Sequence, residues 1–282
     1  MEPTRESNTQ FNQDLNGKIH KKTDRRPLLD VQKLSFDYIS AESSLSVIKE
    51  ISFRAFEGDF LSVVGPSGCG KSTMLDILAG LQPASSGDVF FEGKRITGPR
   101  KEIGYMLQKD QLFEWRTILR NTLLGPEMQY SAHREKKEAQ KKATAMLDRY
   151  ELGAFSDAKP SELSGGMRQR AALIRTLIME PKLLLLDEPF SALDYQTRLT
   201  VCNDICQIIR NNQKTAILVT HDLAEAVSTG NRVLVLGKRP SKLEKELIFD
   251  PEFTKLSPLD RRSHPLFNRY FKQLWEEFAH EK

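Results

Sequence analysis

The sequence predicts an α/β fold built around a mostly parallel sheet. Three observations point to it. The short apolar runs at residues 182–186, Thr215–Val219 and Arg232–Leu236 read as strands buried on both faces. Segments with helical spacing separate them. Polar residues, Gln108, Asp187-Glu188 and His221, stand at the ends of apolar strands, where parallel α/β sheets bind ligands.

Composition narrows the class. A chain of 282 residues, 39% hydrophobic and 28% charged, has room for one large domain with a core. No fully apolar run exceeds the four residues 183–186, against the roughly 20 needed to cross a bilayer. No charged, apolar and small-residue leader opens the sequence, so a cytosolic protein is expected, reaching any membrane through a partner. The net charge of +4 is spread along the chain, without the concentrated basic face that nucleic acid requires. Three cysteines make no disulfide framework. Cys202 and Cys206 are spaced i, i+4 with no His or Cys partner near in sequence, and read as packing residues rather than a metal pair.

In chain order, residues 1–26 are polar and predict a disordered tail. A first strand is expected over 28–36, followed by Tyr38; a serine-rich loop (Ser40, Ser43, Ser44, Ser46) leads to a second strand over 48–56. Glu57-Gly58-Asp59 turns into a buried strand over 59–64, and a helix follows over 73–81. Residues 88–91 and Glu92-Gly93-Lys94 read as a hairpin. A strand over 103–107 ends on Gln108. From 121 to about 156 the pattern is helical: Ala139, Ala143, Met146, Leu147 and Tyr150 share one face, and Lys137, Glu138, Lys141 and Lys142 the solvated one. Another helix is expected over 167–179, and Asp222 with Glu225 suits a capping box for the helix after His221. Near the end, Leu266, Phe267, Tyr270, Phe271, Leu274, Trp275 and Phe278 form an apolar stripe at helical spacing. Its mixed flanking charges favour packing on the chain's own core or on a dimer mate over a membrane surface.

The segment Gly65-Pro66-Ser67-Gly68-Cys69-Gly70-Lys71-Ser72-Thr73 reads G-x-x-x-x-G-K-S between a strand and a helix, the context of a phosphate-binding loop. Gly65, Gly68 and Gly70 let the backbone curl so that its N–H groups point inward at a helix N-terminus. Lys71 brings a full charge to the β- and γ-phosphates, and the Ser72 hydroxyl suits Mg²⁺.

With these motifs the chain resembles the ATP-binding subunit of an ABC transporter. Gly65 to Thr73 is similar to the family's Walker A motif, Leu183-Leu184-Leu185-Leu186-Asp187-Glu188 to its Walker B, and Leu163-Ser164-Gly165-Gly166-Met167 to its signature. Ser191-Ala192-Leu193-Asp194 resembles the D-loop and His221 the switch histidine. The signature usually ends in Gln; here Met167 stands there, while Ser164, Gly165 and Gly166, the groups that would touch a γ-phosphate, remain. The resemblance covers about 28–237 and implies a nucleotide-binding domain with a mixed or parallel phosphate-loop core. It also implies an N-terminal antiparallel β region and an inserted α-helical subdomain at about 109–180. On this reading 27–260 form the ATPase domain and 261–282 a C-terminal amphipathic helix.

The resemblance implies roles for single residues. Tyr38 would stack on adenine, Asp187 would orient Mg²⁺ with Ser72 and Gln108, and Glu188 would act as general base. Gln108 would reach the attacking water, and His221 the γ-phosphate. ATP and Mg²⁺ are the expected cofactors. One copy of each motif implies a head-to-tail dimer, with itself or with a second ATPase subunit, in which Ser164, Gly165, Gly166 and Asp194 complete the facing site. Integral membrane permease subunits and an extracytoplasmic solute-binding protein are the other implied partners, which places the chain at the cytoplasmic face of the membrane.

Residues 108–118, the runs Ser164 to Arg170 and Asp194 to Arg198, and Gly237-Lys238-Arg239-Pro240-Ser241 are similar to importers of the nitrate, sulfonate and taurine group. Those typically carry Pro before the Trp, where Glu114 precedes Trp115 here. Leu112, Phe113 and Trp115 offer apolar area for a cytoplasmic helix of the permease. Two alternatives remain at this point: the ATPase of a separate-subunit exporter, and a soluble ABC ATPase acting on DNA or the ribosome. The interval of about 110 residues between the Walker motifs, without sustained heptads, disfavours the latter.

Overall fold

A computed structural model describes residues 26–39 and 43–279. The predicted tail over 1–26 lies outside them except for Arg26. An antiparallel sheet of order β2-β1-β4-β5 is made by β1 (Leu29–Ile39), β2 (Ser44–Ala55), β4 (Ser86–Phe91) and β5 (Lys94–Arg95). A second sheet has the order β10-β9-β3-β8-β7-β6, from β3 (Phe60–Val64), β6 (Ile103–Met106), β7 (Leu183–Asp187), β8 (Thr215–Val219), β9 (Arg232–Leu236) and β10 (Leu243–Ile248). Its strands run parallel except β10.

The two sheets follow from pattern. β3, β7 and β8 are buried at every position, which is why they read as mostly apolar runs, interrupted in β3 by the buried Ser62. Alternate residues face opposite layers. Leu61, Val63, Leu183, Leu185, Ile217 and Val219 pack towards the antiparallel sheet and helix α1 (Lys71–Leu78). Leu184, Leu186, Ala216 and Leu218 pack towards α5 (Gly165–Leu177) and α6 (Tyr195–Asn211). Truncating one of these, as in Leu185→Ala, should cost about 2–5 kcal/mol. Glu92 and Gly93, both at positive φ (50° and 75°), make the tight β4–β5 turn.

The serine run read as a loop is partly strand. Ser44 and Ser46 pair with Ile39 and Asp37, so cross-strand hydrogen bonding overrides their turn propensity. The helical stretch expected over 121–156 is broken into α2 (Ile118–Thr122), α3 (Leu124–Gln129) and α4 (His133–Arg149), with a short turn at Gly153–Phe155. Ala139, Ala143 and Leu147 are the buried positions of α4. Cys202 and Cys206 are buried in α6 among the core residues below the parallel sheet.

Helices α7 (Leu223–Thr229), α8 (Pro251–Lys255), α9 (Pro258–Ser263) and α10 (Pro265–Ala279) close the other flank. The terminal helix thus starts at Pro265; residues 261–263 belong to a separate short helix that begins on Pro258. Tyr270 and Leu274 are buried against Val233, Val235, Phe249 and Phe253, so the apolar stripe packs on the chain's own core. Arg261 is fully buried and donates to the carbonyl oxygens of Gly230, Leu256 and Thr254, tying α9 to the end of α7. No helix among the described residues is long and apolar enough to cross a membrane.

Candidate active site

The strand register brings the polar residues to one edge. β6 pairs Met106 with Leu186, β7 pairs Asp187 with Val219, and β3 pairs Val63 with Val219. Leu107-Gln108, Glu188, Thr220-His221 and Gly65 therefore leave the sheet side by side.

Gly70 precedes α1 with φ 104°, and a Cβ there would lie 2.6 Å from Val47 Cγ1. Only glycine fits both the left-handed backbone and the close approach of β2. No side chain caps α1, so its first N–H groups remain available to an anion. By contrast, Ser164 caps α5, Asp194 caps α6 and Asp222 caps α7. The buried Lys71 ammonium donates to Gly65 O at 2.8 Å and Pro66 O at 3.0 Å, and so is folded over the loop. Tyr38, half exposed at the end of β1, stands edge-on to Phe36 with its hydroxyl 3.4 Å from Thr73 Oγ1.

Ser72 Oγ donates to Asp187 Oδ1 at 3.1 Å. Burial pushes the Asp187 carboxyl above its ordinary value; the Ser72 hydrogen bond and the Lys71 charge oppose this, and Glu188 and Asp76 reinforce it. A buried carboxylate near two others and bonded by a hydroxyl is an oxygen donor set in which the Lys71 charge only partly offsets the three carboxylates. It fits a hard divalent cation such as Mg²⁺.

Glu188 follows Asp187 with φ 42°, a left-handed conformation fixed by the donation of its N–H to Val219 O at 2.9 Å. Holding a non-glycine residue there costs on the order of 1–3 kcal/mol and is typical of sites where side-chain aim matters. His221 Nδ1 lies 2.9 Å from Glu188 Oε2. Gln108 Nε2 is farther, 3.5 Å from that oxygen and 3.4 Å from Ser191 Oγ, at the limit of hydrogen bonding. A carboxylate bracketed by an imidazole and an amide can take a proton from a water and be held in place while doing so.

The signature lies elsewhere. Its nearest neighbours are Leu193, 2.9 Å from a Cβ built on Gly165, and Val201, 2.7 Å from one on Gly166. The Ser164 hydroxyl accepts from Met167 N at 3.3 Å, and the Asp194 carboxylate from Thr197 N at 3.1 Å. Ser164, Gly165, Gly166 and Asp194 thus form one patch with Leu193, whereas the phosphate loop packs on Val47, Ile48 and Leu236. Met167 packs its side chain on the core beneath α5, leaving the Ser164 cap undisturbed.

Several residues have no role of their own in the sequence reading, although Ser191, Arg168 and Arg198 lie within its motifs. Ser191 donates to Glu188 O at 3.0 Å while meeting Gln108. Arg198 donates to Leu193 O at 2.9 Å and holds the D-loop. Arg168 and Arg175 grip the segment after Gln108. An arginine on a helix carries no sequence signal of what it grips. Of the proposed docking residues, Leu112 is buried at 6% exposure and packs inside the helical region, while Trp115 is 73% exposed and stacks on Phe113 at 4.8 Å.

Residues 48–191 match the ABC transporter family. An uncharacterized ABC transporter ATP-binding protein of Bacillus subtilis (strain 168) is 42% identical over 249 residues, 88% of this chain and 95% of that protein. The nitrate import ATP-binding protein of Synechocystis is 36% identical over 250 residues, covering 87% and 93%. Aliphatic sulfonates and taurine import ATP-binding proteins of Bacillus cereus and Ruegeria pomeroyi match at 36% and 37%. The solved dimer of an ATP-binding cassette in a post-hydrolysis state bound to ADP and Pi superposes with TM-score 0.66 at 28% identity, over 79% of this chain and 99% of that one. The chain belongs to the ABC transporter family, as one of its ATP-hydrolysing subunits.

Proposed function

We propose that the chain drives import of a small oxyanion-bearing solute, of the nitrate, sulfonate or taurine type, through separate membrane permease subunits. The relatives named for nitrate, aliphatic sulfonates and taurine import support this solute class. The observation that carries the catalytic reading is the Glu188 carboxylate held 2.9 Å from His221 beside Gln108, with the end of β8 between it and the phosphate loop.

ATP with Mg²⁺ supplies the phosphoanhydride bond and the charge that neutralises it. The backbone amides of residues 65–73 and the Lys71 ammonium cradle the phosphates, and Tyr38 offers its ring to the base. Asp187, Ser72 and Gln108 would hold the cation. Glu188 takes the proton of the attacking water, while His221 fixes the carboxylate and reaches the γ-phosphate. Ser164, Gly165, Gly166 and Asp194 serve the site of the facing subunit, a second copy or a second ATPase. Residues 27–260 act as the ATPase domain, with 109–180 as its helical part and 261–282 as a C-terminal segment that carries the terminal helix Pro265–Ala279. The permease holds the chain at the cytoplasmic face of the membrane, with a solute-binding protein on the other side and no nucleic acid involved.

The test is uptake in vesicles that contain the permease and enclose this subunit with ATP and magnesium. Labelled nitrate, taurine or methanesulfonate should enter when the solute-binding protein is present outside. ATP-driven efflux, or hydrolysis indifferent to every permease tried, refutes the reading.

A further inference from the structure

The segment between Gln108 and α2 is gripped from two helices. From α5, Arg168 donates through Nε to Asp110 Oδ2 at 2.8 Å, and through Nη2 to Asp110 Oδ1 at 3.2 Å and Glu114 Oε1 at 2.8 Å. Seven positions on, Arg175 donates to Gln111 O at 2.6 Å and Asp110 O at 2.7 Å. From α2, the buried Asn121 accepts from Phe113 N at 2.7 Å and donates to the carbonyls of Phe113, Arg116 and Thr117 at 3.1, 3.2 and 3.0 Å. Gln111 is held at φ 51° within this clamp.

The backbone of Arg168 completes a path. Its N–H donates to Ser164 O at 2.9 Å, closing the first turn of the signature helix. Trp115, Glu114, Arg168 and Ser164 are thus joined in three steps. The connection back to the sheet is looser, because the Gln108 side chain meets Glu188 and Ser191 only at 3.5 and 3.4 Å. A forked guanidinium fixes angle as well as distance, which an ammonium cannot do. The Asp110–Arg168 pair is mostly shielded, with side chains 18% and 24% exposed. Burial acts to raise the Asp110 carboxyl, but the Arg168 and Leu112 hydrogen bonds and the charges of Arg168 and Arg175 outweigh it and leave it below its ordinary value. The carboxylate is therefore held in its charged form by the pair.

We propose that Arg168 is a positioning residue that makes residues 110–116 one rigid body with the signature helix, so that a load on Trp115 moves Ser164 directly. Glu114, which stands where similar importers carry Pro, is the second anchor of this latch. The mechanical claim concerns this chain alone; its use in transport rests on Trp115 facing the permease, as proposed above.

Hydrogen exchange on the full chain, with and without MgATP, tests the mechanical claim. In the parent, residues 110–116 and 164–168 should be protected together. Arg168→Lys, which keeps the charge and loses the fork, should speed exchange in both segments by about five-fold or more while leaving α1 and α4 unchanged. A rise confined to one segment, or none, overturns the proposal; a rise everywhere marks unfolding, and Asp110→Asn must then reproduce the paired change or the proposal falls. Permease-stimulated hydrolysis reads the coupling. Arg168→Lys and Asp110→Asn should each cut the stimulation about five-fold or more, and the double variant no further, with KM for ATP unmoved. A stimulated parent whose variants keep full stimulation contradicts the coupling. A parent that no permease stimulates refutes the permease reading instead, and the exchange result then decides the latch alone.

Discussion

Two regions of the molecule meet their polar groups in opposite ways. At the strand ends, the functional side chains are joined to each other: Ser72 to Asp187, and His221 to Glu188. In the signature patch they are turned on their own helices, Ser164 onto Met167 and Asp194 onto Thr197. The helix of the phosphate loop has no side-chain cap, whereas the helices of the signature and the D-loop do. In the first region the candidate hydrolytic groups are joined across elements; in the second, the polar groups cap their own helices. The difference supports the proposal that one chain carries halves of two different sites.

The first way to break this comparison is to disable the joined half alone. Glu188→Gln keeps the phosphate cradle and removes the base, so hydrolysis should fall about 10²–10⁴-fold with ATP binding retained. A purified variant that hydrolyses at near the parental rate removes Glu188 from the chemistry. A smaller effect belongs to the outward half. Trp115→Ala should weaken co-purification with the permease about ten-fold, close to 1.4 kcal/mol, and leave the ATP affinity of the isolated chain unchanged. Parallel losses of permease binding and ATP affinity would show instead that Trp115 supports the fold.

An effect on stability rather than on activity or binding sharpens the joined half through pH. Glu225, four residues after His221, is 4% exposed, and burial pushes its carboxyl up to about 7; Asp222 adds to the shift, while Thr220, Arg198 and Arg262 oppose it. A raised carboxyl pKa means the native state holds the proton more tightly than the unfolded chain. Native stability should therefore fall as pH rises from the ordinary glutamate value towards 7, and stay lower above, by up to about 3 kcal/mol. Glu225→Gln removes that slope, so thermal unfolding at pH 8 should favour the variant by several degrees more than at pH 5. Parallel curves for parent and variant would show that the carboxyl titrates normally.

Much of the joined half was legible in the sequence. Apolar runs ending in Gln108, Asp187-Glu188 and His221 fixed both the parallel sheet and the strand ends, because a strand buried on two faces leaves no other pattern. The left-handed backbone of Glu188 was not legible, since neighbouring strands impose it through Val219. The outward half was readable as a motif and not as contacts. Leu112 and Trp115 look equally apolar in sequence, yet one is buried and the other exposed, because Asn121, Arg168 and Arg175 fold the segment between them. Long-range side-chain grips of that kind have no periodicity to betray them. The same holds for the serines of β2, whose strand pairing outweighs a local preference for turns.

The central claim is that the signature patch completes the site of a second copy. Light scattering on Glu188→Gln with ATP and magnesium tests it most directly. The account predicts that the mass doubles on adding ATP, reverts when nucleotide is removed, and stays monomeric when Ser164→Arg is added, since a bulky charge would sit at the closing surface. A monomer at every ATP and protein concentration, or a dimer indifferent to Ser164→Arg, would contradict it.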